Sequence, residues 1–194
     1  MILSRFRTVL QSEAAAILAV PVTAAAEEAV IKLLGCTGKV FTTGIGKAGY
    51  VARKAASTLS TTGTPSVFLH PADAPHGDVG VLQSGDILLA FSNSGQTREV
   101  LETIHFAKAL GVGCVISVTS LANTPIGVES DVVIEIGSIE EPCPLRLTPT
   151  ASTAAMIAVT DALALTVMEQ RGFTKEDFAL RHHGGYLGKK SREG

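Results

Sequence analysis

The sequence lacks a charge excess, a long apolar run and an export signal. Its 16 basic and 18 acidic residues leave a net charge of −2, so electrostatics gives no reason to expect nucleic acid or an anionic membrane as a partner. No uninterrupted apolar run reaches the roughly 18 residues of a membrane span, and no apolar leader precedes a cleavage site. We therefore expect no membrane association, no nucleic-acid partner and a cytoplasmic location.

Cysteine is scarce, and its spacing is typical of neither a disulfide framework nor a metal site. The chain has three cysteines, an odd number, at Cys36, Cys114 and Cys143. Reduced thiols that serve as small buried hydrophobic side chains fit this pattern, as does a cytoplasmic compartment.

Internal repeats, low-complexity segments and linkers are absent as well. A chain of 194 residues with 46% hydrophobic residues is long enough to bury one sizeable core. We predict a single domain over residues 1–194.

Five short β-rich segments alternate mostly with helical patterns. The predicted strands are residues 39–43, 66–70, 86–91, 113–118 and 131–136, and the predicted helices between them are 48–62, 98–110 and 122–128. Such alternation is typical of a parallel sheet with helices on both faces. The fold class predicted here is α/β, with three layers and a five-stranded parallel sheet.

Helical patterns also flank this predicted sheet. Residues 4–19 and 23–34 precede it, and residues 174–180 form a short helix after it, before a loose tail from residue 184. In the long helix 151–170, Asp161 is the only charge before Glu169, which predicts burial nearly all round. Since a sheet with its own helices already fills a domain of this size, burial by other subunits is favoured.

Residues 92–99 join a predicted buried strand to an amphipathic helix and have the composition of a phosphate site. Hydroxyls, a close backbone approach at glycine and the positive end of the following helix all favour an anion there. The loop residues are Ser92, Asn93, Ser94, Gly95 and Thr97. Glu99 lies in the first turn of the helix, facing the bound group. A well-capped strand-to-helix junction is the alternative.

The turn after the first strand, Gly44 to Gly49, formally matches a GxGxxG pattern. A dinucleotide site needs an acidic residue at the end of the second strand, which ends in His70, and a phosphate-binding P-loop needs Ser or Thr where Ala48 stands. What remains is a glycine turn at Gly46 that presents Lys47 to an anionic group, or a solvated surface lysine.

Three further loops carry candidate residues. His76 and Asp78 match no recognised metal-ligand spacing, so no metal is predicted. Glu141 lies in a proline-stiffened loop, which suits a positioned carboxylate or, alternatively, a solvated acidic pair. Thr150 and Ser152 begin the long helix as a second anion contact or as plain N-caps.

Near the end of the chain, the segment Arg181-His182-His183-Gly184-Gly185 pairs two histidines with glycines. Histidine transfers protons near neutral pH, so His182 is a candidate for proton transfer. A solvated tail is the alternative.

Seven segments form an ordered set that covers nearly the whole chain. They are Gly44-Ile45-Gly46-Lys47, Gly63-Thr64-Pro65-Ser66, His76-Gly77-Asp78, Ser92-Asn93-Ser94-Gly95, Cys143-Pro144-Leu145 with Pro149-Thr150, Gly172-Phe173-Thr174 and Asp177-Phe178-Ala179-Leu180. Jointly they resemble the sugar isomerase domain of D-arabinose 5-phosphate isomerases. Members of that family commonly continue into a pair of cystathionine-β-synthase-type domains, so this chain looks like a catalytic domain without that pair.

The resemblance implies a flavodoxin-like fold, homotetramers with active sites between subunits, and no cofactor. It implies interconversion of D-ribulose 5-phosphate and D-arabinose 5-phosphate through an enediol, at the entry to 3-deoxy-D-manno-octulosonate and lipopolysaccharide synthesis. The implied catalytic residues are Lys47, Glu99, Glu141 and His182, with Glu141 favoured over Glu99 as the base. The predicted substrate-binding residues are Gly46, His76, Ser92, Asn93, Ser94, Gly95, Thr97, Thr150 and Ser152.

Three residues depart from the family pattern. Gln96 stands where the family often has an acidic residue, Arg98 adds a cation beside the loop, and His183 replaces a proline. An isomerase of another phosphosugar is therefore one alternative, and a non-catalytic phosphosugar sensor is another. A sensor needs the phosphate loop but not the proton-transfer residues, whose presence favours an enzyme.

Overall fold

The computed structural model describes residues 1–192 and contains eight α-helices and five strands in that range. The helices are α1 (Ile2–Leu18), α2 (Ala24–Leu34), α3 (Gly46–Thr61), α4 (Arg98–Ala109), α5 (Pro125–Val128), α6 (Ala151–Gln170), α7 (Lys175–Arg181) and α8 (Gly185–Lys190). The strands are β1 (Val40–Thr43), β2 (Ser66–Phe68), β3 (Ile87–Ser92), β4 (Cys114–Thr119) and β5 (Val132–Glu135). Two 3₁₀ turns, Ala74–His76 and Asp78–Val81, follow β2.

The five strands form one parallel sheet in the order β2-β1-β3-β4-β5. The chain moves outward from β1 to β2 and then returns to the other side of β1 to form β3. The direction of winding therefore reverses between β1 and β3, and in such sheets ligands bind beyond the carboxyl ends of the strands at this point.

Both faces of the sheet are covered by helices. On one face, α2, α3 and α6 pack over Leu89 and Phe91 of β3, and on the other, α4 and α5 pack over Leu88 and Ala90. All six residues of β3 are buried, as the near-continuous apolar run of a central parallel strand requires. The predicted fold class, a three-layer α/β domain with a five-stranded parallel sheet, is confirmed.

Two predicted boundaries are wrong. Strand β2 ends at Phe68 rather than at residue 70, because the chain leaves the sheet edge for the 3₁₀ turns after the Leu69 N–H has bonded to the Thr42 carbonyl at 2.9 Å. The predicted loose tail is instead α8 over Gly185–Lys190, and residues 193 and 194 lie outside the described range.

Within a single chain, α6 is not buried all round, and the expectation that other subunits cover it stays a prediction. Ala155 and Leu163 are buried, but Leu165 is 55% exposed, so the helix is covered on one side only within a single chain. Among residues 1–192, α6 is the one helix that is long and apolar enough, by length and composition, for a membrane span. It packs against α1, α2 and α3 as a core helix does, so this is weak evidence for a membrane.

Candidate functional site

A cavity of about 330 Å³ opens beyond the carboxyl ends of β1 and β3. The N-terminal ends of α3, α4 and α6 all border it. The lining residues are Ile45, Lys47, Ala48, Ser92, Asn93, Ser94, Thr97, Pro149, Ser152, Thr153 and Met156. The cavity thus lies where the topology of the sheet predicts a ligand site.

The phosphate loop, residues 92–97, forms one wall of this cavity. The hydroxyls of Ser92 and Thr97 lie 2.8 Å apart, and the Gly95 N–H donates to the Ser92 hydroxyl at 3.1 Å. Thr97 is the N-cap residue of α4, but its side chain caps none of the N–H groups of the first turn. Those N–H groups and the positive end of the helix suit an anion such as phosphate.

The glycine turn before α3 supplies a cation to the opposite wall. Gly46 begins the helix with φ of 59°, a left-handed conformation that favours glycine, and a Cβ at Gly44 would lie 2.9 Å from the Ala48 carbonyl oxygen. This tight turn places Lys47 at the cavity, where its side chain is exposed. Within residues 1–192, Lys47 has no ion-pair partner, so its charge is available to a ligand.

The N-terminus of α6 is occupied by the carboxylate of Glu141. One oxygen, Oε2, accepts from the N–H groups of Thr150 at 2.8 Å and Ala151 at 2.9 Å. The other, Oε1, accepts from the Ser152 N–H at 3.2 Å and from the Ser152 hydroxyl. At Thr150 and Ser152, predicted as a second anion contact or as plain N-caps, the anion present in a single chain is thus a side chain of the protein, while Ser152 also lines the cavity.

These hydrogen bonds also decide the charge of Glu141. Burial, with 9% of the residue exposed, would raise its pKa. The bonds from the Ser152 hydroxyl and from the Thr150, Ser152 and Ala151 N–H groups outweigh burial and lower the pKa below its ordinary value. Glu141 is thus a fixed anion whose oxygens are both engaged.

Seven of the predicted site residues do not line the cavity. Gly46, Gly95 and Thr150 adjoin lining residues in the chain, and Glu141 bonds to the lining residue Ser152. The other three are Glu99, His76 and His182. Glu99 is half-buried in the first turn of α4, and within residues 1–192 its carboxylate has no hydrogen-bond or ion-pair partner. His76 is exposed in a 3₁₀ turn. His182 follows α7, where its ring stacks on Phe178 with the ring centroids 3.8 Å apart. One chain therefore builds the phosphate side of a site and leaves these three groups apart from it.

Some cavity residues were not predicted from the sequence. They are Ile45, Ala48, Pro149, Thr153 and Met156. Met156 lies four residues after Ser152 and so shares its face of α6, a spacing that could have identified it. For metal binding, no group of three His, Cys, Asp or Glu side chains is suitably placed in the part of the chain that the structure describes.

Comparison with known proteins identifies the family. The model of the SIS domain matches residues 33–166 of this chain. The chain belongs to the SIS domain family. A crystal structure from Bacteroides fragilis NCTC 9343, assigned as a phosphosugar isomerase involved in capsule formation, superimposes with a TM-score of 0.93 at 43% identity and covers 96% of this chain and 100% of that one.

Two further relatives bear on the ligand. The structure of Escherichia coli CFT073 c3406 in complex with arabinose 5-phosphate has a TM-score of 0.88 at 36% identity, over 93% of this SIS domain and 97% of that chain. The arabinose 5-phosphate isomerase KdsD of Pseudomonas aeruginosa PAO1 is 45% identical over 158 residues, which is 81% of this chain and 48% of the relative. The chain thus spans about half the length of the curated relatives it matches.

We predict that Glu141 stabilises the SIS domain in a pH-dependent way. Glu141→Ala leaves buried N–H groups at the start of α6 without an acceptor, which should cost about 2 kcal/mol at pH 7 in urea unfolding. Because the folded pKa is lowered, this contribution is complete above the ordinary value of about 4.5 and is lost as pH falls through the folded pKa. The gap between wild type and variant should therefore close in acid.

The neighbouring Glu140→Ala is the matched control. Its side chain is 70% exposed and pairs with Arg146 at the surface, so its loss should cost less than about 0.5 kcal/mol. Equal losses in the two variants would contradict the capping role of Glu141.

We also predict that Cys143 is the reactive thiol of the SIS domain. The Thr148 hydroxyl, followed by the N–H groups of Thr148, Leu147 and Leu145, lowers its pKa to about 6. Burial raises the pKa of Cys114 to about 11. Alkylation by iodoacetamide should therefore rise with pH to a half-maximum near 6 and modify Cys143 selectively, as mass spectrometry would show.

The control for this assay is Thr148→Val, which removes the hydroxyl that lowers the pKa most. The midpoint of the alkylation profile should move toward the ordinary thiol value. A wild-type profile centred near the ordinary value of 9.0 would exclude a thiolate held by this loop.

Proposed function

We propose that this SIS domain is an isomerase that interconverts D-ribulose 5-phosphate and D-arabinose 5-phosphate through an enediol. The observation that carries the proposal is the cavity in which the uncapped N-terminus of α4 and the phosphate loop face Lys47. The relation to arabinose 5-phosphate isomerases and to a structure in complex with arabinose 5-phosphate supports this choice of substrate. Moving a proton between C1 and C2 requires a base and enediolate stabilisation but no redox cofactor.

The phosphate group would occupy the phosphate loop, with hydroxyls from Ser92, Ser94 and Thr97 around it. The first-turn N–H groups of α4 would donate to its oxygens. Lys47 on the opposite wall would then stabilise the negative charge that develops on the enediolate.

Glu99 is the better candidate for the base that removes the C2 proton. The sequence favoured Glu141, but that carboxylate already accepts hydrogen bonds at both oxygens and has a lowered pKa, so it has little capacity to take a proton. Glu99 is the second residue of α4, directly after the phosphate loop, and within residues 1–192 its carboxylate accepts no hydrogen bond. It does not line the cavity of a single chain, so the proposal requires that the assembled site bring the substrate to it. Glu141 would instead hold the N-terminus of α6 in place at the cavity.

His182 would enter the site from a neighbouring subunit. In a single chain it lies beside Phe178 and does not line the cavity. Contributed by a partner subunit, it would help to open the sugar ring or shuttle a proton between oxygens, and His76 would lie near the ligand in the same assembly.

An exposed apolar surface supports a homotetramer. A groove of about 790 Å³ lies between α6 and the α1–α2 segment. Exposed apolar residues on its rim include Ile17, Leu18, Val22 and Ile31. Contiguous exposed apolar side chains of this kind are found at protein interfaces. The active site would then be completed between subunits.

Gln96 and Arg98, which depart from the family pattern, are compatible with the binding of arabinose 5-phosphate. Arg98 donates to Glu102 at 2.7 Å on the exposed side of α4, and neither Gln96 nor Arg98 lines the cavity. The enzyme would supply arabinose 5-phosphate for 3-deoxy-D-manno-octulosonate and lipopolysaccharide synthesis in the cytoplasm. Cysteines without disulfides are compatible with that compartment.

The reaction can be tested by proton NMR with D-ribulose 5-phosphate in heavy water containing EDTA. We expect D-arabinose 5-phosphate with deuterium at C2. Glu99→Gln should lower kcat by about 10²–10⁴-fold, because it removes the base. Glu102→Gln, one turn further along α4, is the matched control and should retain activity. Wild-type protein that leaves the spectrum unchanged would exclude this substrate.

Assembly can be tested by light scattering after size exclusion. Ile31→Glu places a charge in the apolar groove and should shift the tetramer to smaller species, with loss of activity if sites lie between subunits. Val128→Glu, at a residue 75% exposed on the other face of the sheet, should leave the tetramer intact. A monomeric wild-type protein would refute the proposed assembly.

A further inference from the structure

The phosphate loop is held from behind by a second segment of the chain. The Ser120 N–H donates to the Asn93 carbonyl at 3.1 Å, and the Ile126 N–H donates to the Gly95 carbonyl at 2.9 Å. The two donors belong to the connection between β4 and α5 and to α5 itself. Neither donor lines the cavity, so this segment touches the loop and not the ligand space.

Thr124 is the residue that organises this supporting segment. It is the N-cap of α5: its hydroxyl accepts from the Gly127 N–H at 3.2 Å and donates to the Leu121 carbonyl at 3.0 Å. It is only 9% exposed because its side chain lies directly against Gly95. A Cβ built on Gly95 would lie 2.3 Å from the Thr124 Cβ and 2.1 Å from its hydroxyl oxygen, so the two residues are in close contact.

This support determines where the N–H groups of the loop point. The C=O and N–H of one trans peptide point in opposite directions. Anchoring the Asn93 carbonyl at Ser120 therefore turns the Ser94 N–H away from the supporting segment. The Gly95 carbonyl is anchored at Ile126, so the Gln96 N–H of the same peptide points the other way. It donates to the Ser94 hydroxyl at 3.2 Å and orients that hydroxyl.

We propose that Thr124 is a positioning residue for the phosphate loop. By capping α5 it presents the Ile126 N–H to Gly95, and by its contact with Gly95 it fixes the left-handed turn there, whose φ is 62°. Thr124 thus sets phosphate affinity without touching substrate. This inference rests on the proposed function, because it assumes that the loop binds the phosphate of the substrate.

The test compares two substitutions at Thr124 with a control in the same segment. Thr124→Val keeps the shape but removes the capping hydroxyl, and Thr124→Ser keeps the hydroxyl. Thr124→Val should raise the Kd for inorganic phosphate and the KM for D-arabinose 5-phosphate about tenfold, with kcat changed less than threefold. Thr124→Ser should stay within about threefold of wild type in all three constants.

Ser130→Ala is the control for a general loss of stability. Its hydroxyl donates to the Ile126 carbonyl at 2.7 Å from beyond the C-terminus of α5, and it makes no contact with the Ile126 N–H that bonds to the phosphate loop. It should lower Tm with unchanged phosphate affinity. A folded Thr124→Val protein that binds phosphate as wild type does would overturn the inference and leave the proposed function standing. Wild-type protein that binds neither phosphate nor phosphosugar would overturn both.

Hydrogen exchange of the wild-type protein gives an independent measurement should Thr124→Val fail to fold. Added phosphate should slow exchange of the Ile126 and Ser120 N–H groups with the same concentration dependence as the Gly95 N–H. Exchange at Ile126 that does not respond while Gly95 becomes protected would refute the coupling.

Discussion

The structure depends on three helix N-termini that meet at one cavity and need negative charge there. α3, α4 and α6 all begin at one cavity, so three positive helix ends and three sets of free N–H groups meet there. The chain neutralises one of them itself, because the Glu141 carboxylate caps α6. The N-cap residues of α3 and α4 give no side-chain hydrogen bond, and in the proposed function the substrate phosphate would supply the missing negative charge.

Much of the fold and the phosphate side of the site could be predicted from the sequence, because both depend on local patterns. Buried strands alternate with amphipathic helices, and this alone implies a parallel sheet whose loops gather at one edge. A hydroxyl-rich loop such as Ser92 to Thr97, at a helix start, is then predicted to bind an anion or to be a well-capped junction, and its position at the cavity follows from either interpretation. Lys47 followed from the same reasoning, because a glycine turn between a strand and a helix leaves its lysine at that edge.

The remaining features depend on contacts between distant segments, which no local pattern encodes. Glu141 reads as a free carboxylate in its loop, and only the fold brings it to the N-terminus of α6 and lowers its pKa. Thr124 fell inside the predicted helix 122–128 and was not singled out, because its contact with Gly95 exists only after β3 and β4 have paired. The apolar pattern of α6 indicated burial, but it did not predict how much of the helix surface is buried within a single chain.

Helix α6 borders both the cavity and the apolar groove. Its N-terminus borders the cavity, and its exposed side forms part of the apolar groove with α1 and α2. A subunit that covers the groove would restrict the motion of α6, and with it the position of Ser152 at the cavity. Glu141 would transmit this restraint, because five hydrogen bonds from Thr150, Ala151 and Ser152 join the helix end to the loop before it. Assembly and the geometry of the site would therefore be coupled through one buried carboxylate, which is a further reason for proton transfer to be the task of a different glutamate.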